Sequence, residues 1–186
     1  MFLIVLPDPV SDDALLLRLQ GGGEEAVIAV YERYFTPLYQ YVRLKVGDSS
    51  LAKDIVSDVF VRLIESLGTR SAPRVNLRGW LFRVTRNQIY RNSDRTIPLA
   101  DVEEWMPAPA ESNPEMLGDV VDLERVRRAI RMLTADHQEV LILRFGQRLS
   151  LQETADIMGK NVAAIKSLQF RAVDTLRSIL LEGTHG

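Results

Sequence analysis

The sequence predicts an all-α chain: two small helical domains joined by an acidic, proline-containing linker, the C-terminal one a helix-turn-helix. Three observations carry this. Nearly every patterned stretch repeats apolar residues at intervals of three and four, and strand-like alternation is absent. The charge comes in blocks. Residues 71–97 hold six arginines against Asp94, residues 98–124 hold eight acids and no lysine or arginine, and residues 160–177 hold four basic residues against Asp174. Finally, Ser150-Leu-Gln-Glu153 is followed by Ala155, Gly159 and Ile165 at the spacing of two steeply crossing helices. A length of 186 residues suits one ordinary domain or two small ones, and 46% apolar with 26% charged residues marks a globular chain.

Residues 1–10 form an N-terminal extension. Its apolar start, Phe2 to Leu6, is too short for a targeting segment, lacks a basic flank and breaks at Pro7-Asp8-Pro9. The first domain spans 11–97. Its first helix runs from near Ser11 to Gln20 and stops at Gly21-Gly22-Gly23, where backbone entropy is high. A second covers about Glu24 to Val46, with Val27, Val30, Tyr31, Tyr34, Leu38, Tyr41 and Val42 apolar. Pro37 is expected to kink or split it, since proline removes a donor and clashes with the preceding turn. Gly47-Asp48-Ser49-Ser50 breaks and recaps the chain. A third helix, about Leu51 to Leu67, carries apolar residues every fourth position. After a loop at 68–76, a fourth runs from about Leu77 to Asp94. Residues 98–115 read as a flexible acidic linker with four prolines.

The second domain spans 116–182, and 183–186 are a tail. A helix is expected near Met116 to Met132. Another follows, N-capped by Thr134 and running to about Phe145, and then comes the helix-turn-helix. In the latter, Ser150 and Glu153 form a capping box, Ala155 is the small contact residue and Gly159 supplies φ > 0. Leu151, Ile157, Met158, Val162, Ile165 and Leu168 form the apolar wedge. The second helix, from about Asn161, leaves Ala163, Ala164, Lys166, Ser167, Gln169 and Arg171 outward, with Lys160 just before it. Small residues let a backbone approach bases, and the others donate to phosphates or base edges.

Several classes of chemistry are excluded. No cysteine means no disulfide and no thiolate metal site, and is compatible with a reducing cytoplasm. No catalytic residue, metal site or cofactor is expected. His137 reads as a surface helix residue, His185 lies in the tail, and Gly21-Gly22-Gly23 lacks the Lys-Ser/Thr and the strand of a phosphate-binding loop. No stretch approaches the roughly 20 apolar residues of a membrane span. The expected protein is cytoplasmic, is not an enzyme, has no small-molecule substrate and does not insert into membrane.

The fourth helix carries the strongest chemical signal. Arg83, Arg86 and Asn87 share one face, which Tyr90 and Arg91 continue. Guanidinium groups beside an aromatic ring suit single-stranded nucleic acid, with phosphates tracked by the cations and bases stacked on the ring. Trp80 and Phe82, by contrast, read from spacing alone as core aromatics before a stacking surface. On the third helix, Asp54 and Asp58 lie four apart beside an apolar strip, either a protein-docking face or an ordinary helix surface.

Four stretches together resemble, in order, the extracytoplasmic-function (ECF) group of bacterial sigma factors. They are Tyr31-Glu-Arg-Tyr-Phe-Thr-Pro-Leu-Tyr39, Asp54-Ile-Val-Ser-Asp-Val-Phe60, Arg78-Gly-Trp-Leu-Phe-Arg-Val-Thr-Arg-Asn87 and Leu133-Thr-Ala-Asp-His-Gln-Glu-Val-Leu-Ile-Leu-Arg-Phe145. The resemblance covers about Ser11 to Leu181. It implies a non-catalytic subunit that binds core RNA polymerase and directs promoter recognition and melting. It also implies an anti-sigma factor as a further partner. The first domain is then similar to sigma region 2, with Asp54, Asp58 and Phe60 docking on core polymerase. The unpaired −10 strand of promoter DNA would be held by the 68–76 loop with Arg78, Trp80, Arg83, Arg86, Asn87, Tyr90 and Arg91. The second domain is similar to region 4, with Lys160, Ala163, Ala164, Lys166, Ser167, Gln169 and Arg171 on the −35 duplex. Three departures stand out: Ser57 replaces a glutamine, Leu168 an arginine, and Asn92-Ser-Asp-Arg95 a more basic run. The competing reading is a stand-alone, dimeric helix-turn-helix regulator with an N-terminal sensing or dimerisation domain.

Overall fold

A computed structural model describes residues 9–46, 48–92, 125, 126 and 128–182. The linker at 98–115, most of the N-terminal extension, the start of the helix expected at Met116 and the tail lie outside the described residues. Among the described residues all regular structure is helical. The described residues fall into two units, 9–92 and 125–182.

Four helices build the first unit: α1 (Pro9–Gln20), α2 (Glu24–Val46), α3 (Ser49–Ser66) and α4 (Leu77–Arg91). The pattern predicted each to within three residues. α3 starts two residues early because Asp48 caps it, its carboxylate accepting from the Leu51 N–H at 2.7 Å. α4 ends three residues early, where the Asn92 amide turns back to donate to the Gln88 carbonyl at 2.9 Å. Pro37 does not split α2, which is one element. Tyr34, Leu38, Tyr41 and Val42 are all fully buried on both sides of it. That packing outweighs a single lost backbone hydrogen bond.

α2 is the central element and packs on α1, α3 and α4. Its buried stripe meets Ile55, Val56, Val59 and Leu63 of α3 and Leu77, Leu81 and Phe82 of α4. The Tyr41 and Phe82 rings sit 5.6 Å apart at a tilt, a favourable edge-to-face pairing. α1 adds Leu15, Leu16 and Leu19, and an ion pair from Asp12 to Arg33 of α2 at 3.2 Å. Burial pushes the neighbouring Tyr34 hydroxyl well above the usual tyrosine range. Asp12 adds to this, and the Arg78 and Arg33 charges oppose it.

The second unit contains helical residues at 125, 126 and 128–131, then α5 (Ala135–Leu141), α6 (Leu151–Met158) and α7 (Val162–Glu182). Thr134 caps α5 as expected, but the helix does not keep its pitch to Phe145. It widens into a π-helical turn at Ile142–Gly146. Arg144, inside that turn, donates to the Leu149 carbonyl and, at 2.8 Å, to the Gln169 side-chain oxygen. Ser150 and Glu153 complete the capping box, with 3.1 Å and 2.7 Å bonds. Ser150→Ala is therefore expected to cost about 1 kcal/mol, read as a lower denaturant midpoint with an unchanged slope. α6 ends at Gly159, at φ +64°, and Ala155 is buried at the contact with α7. Ile165 and Leu168 close the angle from α7, and Leu149 fills the space beneath the turn.

Candidate nucleic-acid interface

α4 turns Leu77, Leu81, Phe82, Thr85, Gln88 and Ile89 inward. The opposite arc exposes Arg83, Asn87, Tyr90 and Arg91, as their spacing predicts. Arg86 lies at its edge, half-buried. Its guanidinium stands 4.6 Å from the centre of the Tyr90 ring and donates to the Tyr90 hydroxyl at 3.3 Å. Phe82, 1% exposed, is core.

Two residues of the expected −10 set are placed differently. Arg78 lies about 140° round the helix from Arg83, half-buried and close enough to act electrostatically on Tyr34. It belongs to the α1–α2 side of the unit and not to the arginine face. Trp80 is half-buried, and its indole N–H donates to the Ser71 carbonyl at 2.9 Å. It braces the loop instead of standing out as a free stacking platform.

That loop is well anchored. Thr69 Oγ1 donates to the Ser66 carbonyl at 2.7 Å and accepts from the Ser71 N–H at 3.1 Å, while Gln20 reaches the Arg74 carbonyl at 3.3 Å. Loop, α3 and α4 together enclose an open groove of about 430 Å³, lined by Arg62, Glu65, Ser66, Thr69, Ser71, Trp80, Val84, Asn87, Gln88 and Arg91. The groove combines a ring, amides, hydroxyls and cations, the groups that hold an unpaired base and its phosphate. Arg62 and Glu65 were not singled out from sequence, and Thr69 was included only as part of the 68–76 loop. The available signal was their position, in the last turn of α3 and the polar run after it.

On α3, Asp54 and Asp58 are exposed, and Val61 continues their line, 51% exposed. Phe60 is a correction: it is only 5% exposed and packs against Tyr31 at 4.8 Å. A ring so covered cannot be a primary docking contact; it supports the surface from beneath. Above it runs an aromatic ladder that sequence reading passed over, Tyr31–Phe35 at 5.1 Å and Phe35–Tyr39 at 6.1 Å. Its spacing of four was legible, but at helical period it reads as core.

In the second unit, Ala163, Lys166, Ser167, Phe170 and Arg171 are exposed on α7. Ala164 is half-buried, its N–H capped by the Asn161 side chain at 2.7 Å. Lys160 pairs with Asp136 at 3.3 Å. Gln169 does not join the outward face. It lies about 160° round the helix from Ser167, half-buried, with its oxygen held by Arg144. Phe170, 73% exposed, stands on the face instead. No group of acids and histidines among the described residues could hold a metal ion. No helix among them is long and apolar enough to cross a membrane.

The chain matches the family models for Sigma-70 region 2 over residues 30–95 and Sigma-70, region 4 over residues 129–178. It is 34% identical to the ECF RNA polymerase sigma factor BldN of Streptomyces coelicolor, over 94% of this chain and 69% of that protein. It is 28% identical to the ECF RNA polymerase sigma factor SigL of Mycobacterium tuberculosis, over 90% and 97%. Among solved structures, CnrH in complex with the cytosolic domain of CnrY shares the fold, with a TM-score of 0.65 at 22% identity, covering 91% of this chain and 96% of that one. The sigma factor RpoE in complex with the anti-sigma factor NepR, from Bartonella quintana, has a TM-score of 0.52 at 22% identity, over 90% and 92%. Two region models matched in order, and a relative one-third identical along almost the whole chain, carry the conclusion that this chain belongs to the ECF sigma factors of bacterial RNA polymerase.

Proposed function

We propose that this sigma factor binds core RNA polymerase in the cytoplasm and directs it to promoters, recognising the −35 element as duplex and the −10 element as an unpaired strand. The observation that carries the reading is the pair of unlike surfaces, each on its own unit. One is an arginine–tyrosine face beside a polar groove, suited to splayed bases; the other is a helix face with small and cationic residues, suited to the major groove.

The roles divide as follows. Arg83, Arg86, Asn87, Tyr90 and Arg91 hold the melted −10 strand, and the groove beside Trp80 takes a base from it. Opening is driven because unpaired bases gain contacts that paired bases cannot make. Ala163, Lys166, Ser167 and Arg171 face the −35 duplex, with Lys160 and Ala164 at the rim. Asp54 and Asp58, backed by Phe60, dock on core polymerase together with the aromatic ladder of α2. An anti-sigma factor is the expected inhibitor, since the two solved structures described above are complexes, one of them with a protein named as an anti-sigma factor. No catalytic residue or cofactor takes part.

Run-off transcription with core polymerase and a genomic fragment library tests the whole reading. Initiation from discrete promoters is expected. No initiation, with a twofold dimer of the chain on a palindrome instead, would overturn it. Lys166→Ala should weaken −35-dependent binding and lower the slope of log affinity against log salt by about one, the loss of a single phosphate contact. An unchanged slope would remove Lys166 from the DNA face.

A further inference from the structure

Lys160 lies between α6 and α7, and its backbone is fixed on both sides. Its N–H donates to the Ala155 carbonyl at 2.9 Å, closing α6 over the left-handed Gly159. The next residue, Asn161, accepts from the Ala164 N–H at 2.7 Å at the start of α7. The side chain alone is left to move, and it reaches back to Asp136, in the first turn of α5, at 3.3 Å. The two side chains are 36% and 48% exposed, and a pair so open to water adds little to stability. Asp136 does not cap α5 either, since Thr134 accepts from the His137 N–H there. The two acids of α6 are engaged elsewhere: Glu153 closes the capping box, and Asp156 accepts from Gln152 at 2.9 Å. What Asp136 supplies is its charge, set against an ammonium at the rim of a surface suited to a polyanion. Residues 160–177 hold four basic residues against Asp174, so one cation cancelled from outside that stretch is a quarter of its positive charge.

We propose that Asp136 is a positioning residue that acts through Lys160, holding its ammonium as an internal counter-ion and withholding it from DNA phosphates. Binding to DNA releases condensed counter-ions only where a cation of the protein replaces them. A lysine neutralised from within replaces none. The pair therefore subtracts one phosphate contact from the −35 unit, whatever the sequence, and leaves the base-facing residues of α7 untouched. It lowers the sequence-independent share of the affinity, the share that would hold the protein on wrong DNA. The inference rests on the −35 reading above.

The test uses holoenzyme reconstituted from the full chain and core polymerase, titrated over a salt series with a duplex carrying only the −35 half of a promoter it initiates from. Asp136→Asn should bind about fivefold more tightly at low salt and steepen the slope of log affinity against log salt by about one. Asp136→Glu, which keeps the charge, should stay at wild-type values. In a Lys160→Ala background the gain from Asp136→Asn should fall below about twofold, the effect of a carboxylate screened by salt, with the slope unmoved. Melting followed by circular dichroism should be the same throughout, as the exposure of the pair requires. An Asp136→Asn slope equal to wild type would overturn the proposal, as would an Asp136→Glu variant that behaved like Asp136→Asn. Equal gains with Lys160 present and absent would also overturn it, and would make Asp136 a direct repeller of DNA. Lys166→Ala is the reference. A lower slope there with Asp136→Asn unmoved fails this proposal alone, whereas a slope unmoved by both would sink the −35 reading itself.

Discussion

Arg83→Ala combined with Arg86→Ala is expected to slow promoter opening about a hundredfold while leaving affinity for core polymerase within twofold. Arg83 lies on the outward arc of α4 and Arg86 at its edge, where it also holds the Tyr90 ring from one side. In the function proposed above, removing them takes away two charge-assisted phosphate contacts, each worth about 1.5–3 kcal/mol in full and less where water screens it. It also releases Tyr90 from its cation. Asp54 and Asp58, on α3, are untouched, so docking should persist. Permanganate reactivity of unpaired thymines reports opening, and competition with a labelled sigma factor reports core affinity. The variant should lose binding to a template already single-stranded at the −10 element as well, because the unpaired strand is the proposed ligand. An equal fall in core affinity would dissolve the division of labour within this unit.

Phe82→Ala is expected to destabilise the first unit by about 3–5 kcal/mol, a large part of the roughly 5–15 kcal/mol available to a small domain. Phe82 is 1% exposed and packs on Tyr41, so truncation leaves a cavity where α2 and α4 meet. Denaturant unfolding of the full chain measures it. Phe82→Leu keeps most of the volume and should retain both stability and opening. A Phe82→Ala protein that folded normally but failed to open promoters would make Phe82 a DNA contact and not a core residue.

The helices were legible because their apolar period is clean and their caps are written in Asp48, Thr134, Ser150 and Gly159. The crossing at Ala155 was legible for the same reason: only a small residue fits there. What pattern could not supply was rotation. Arg78 and Gln169 carry the right chemistry for nucleic acid, yet their helices turn them toward Tyr34 and Arg144. Phe60 and Phe170 make the complementary case. Two phenylalanines of equal hydropathy end at 5% and 73% exposure, and only tertiary packing distinguishes them. Trp80 was ambiguous between core and stacking, and its place as a half-buried groove wall tied to Ser71 was not legible, because a loop contact nine residues away has no periodic signature. The π-helical turn also left no mark, since an α-helix would accept its apolar residues, Ile142, Leu143 and Phe145, at the same spacings.

That wide turn makes the second unit sensitive to chain length in an unusual place. Arg144 reaches two acceptors, on different elements, from a single position. Dropping one residue from Ile142–Gly146 would restore ordinary winding and swing its guanidinium by about 100°, stranding both acceptors and unlatching the recognition helix. Homologous chains with a shorter version of this stretch would need another fastener at position 169, so insertions and deletions here should travel with changes at that site.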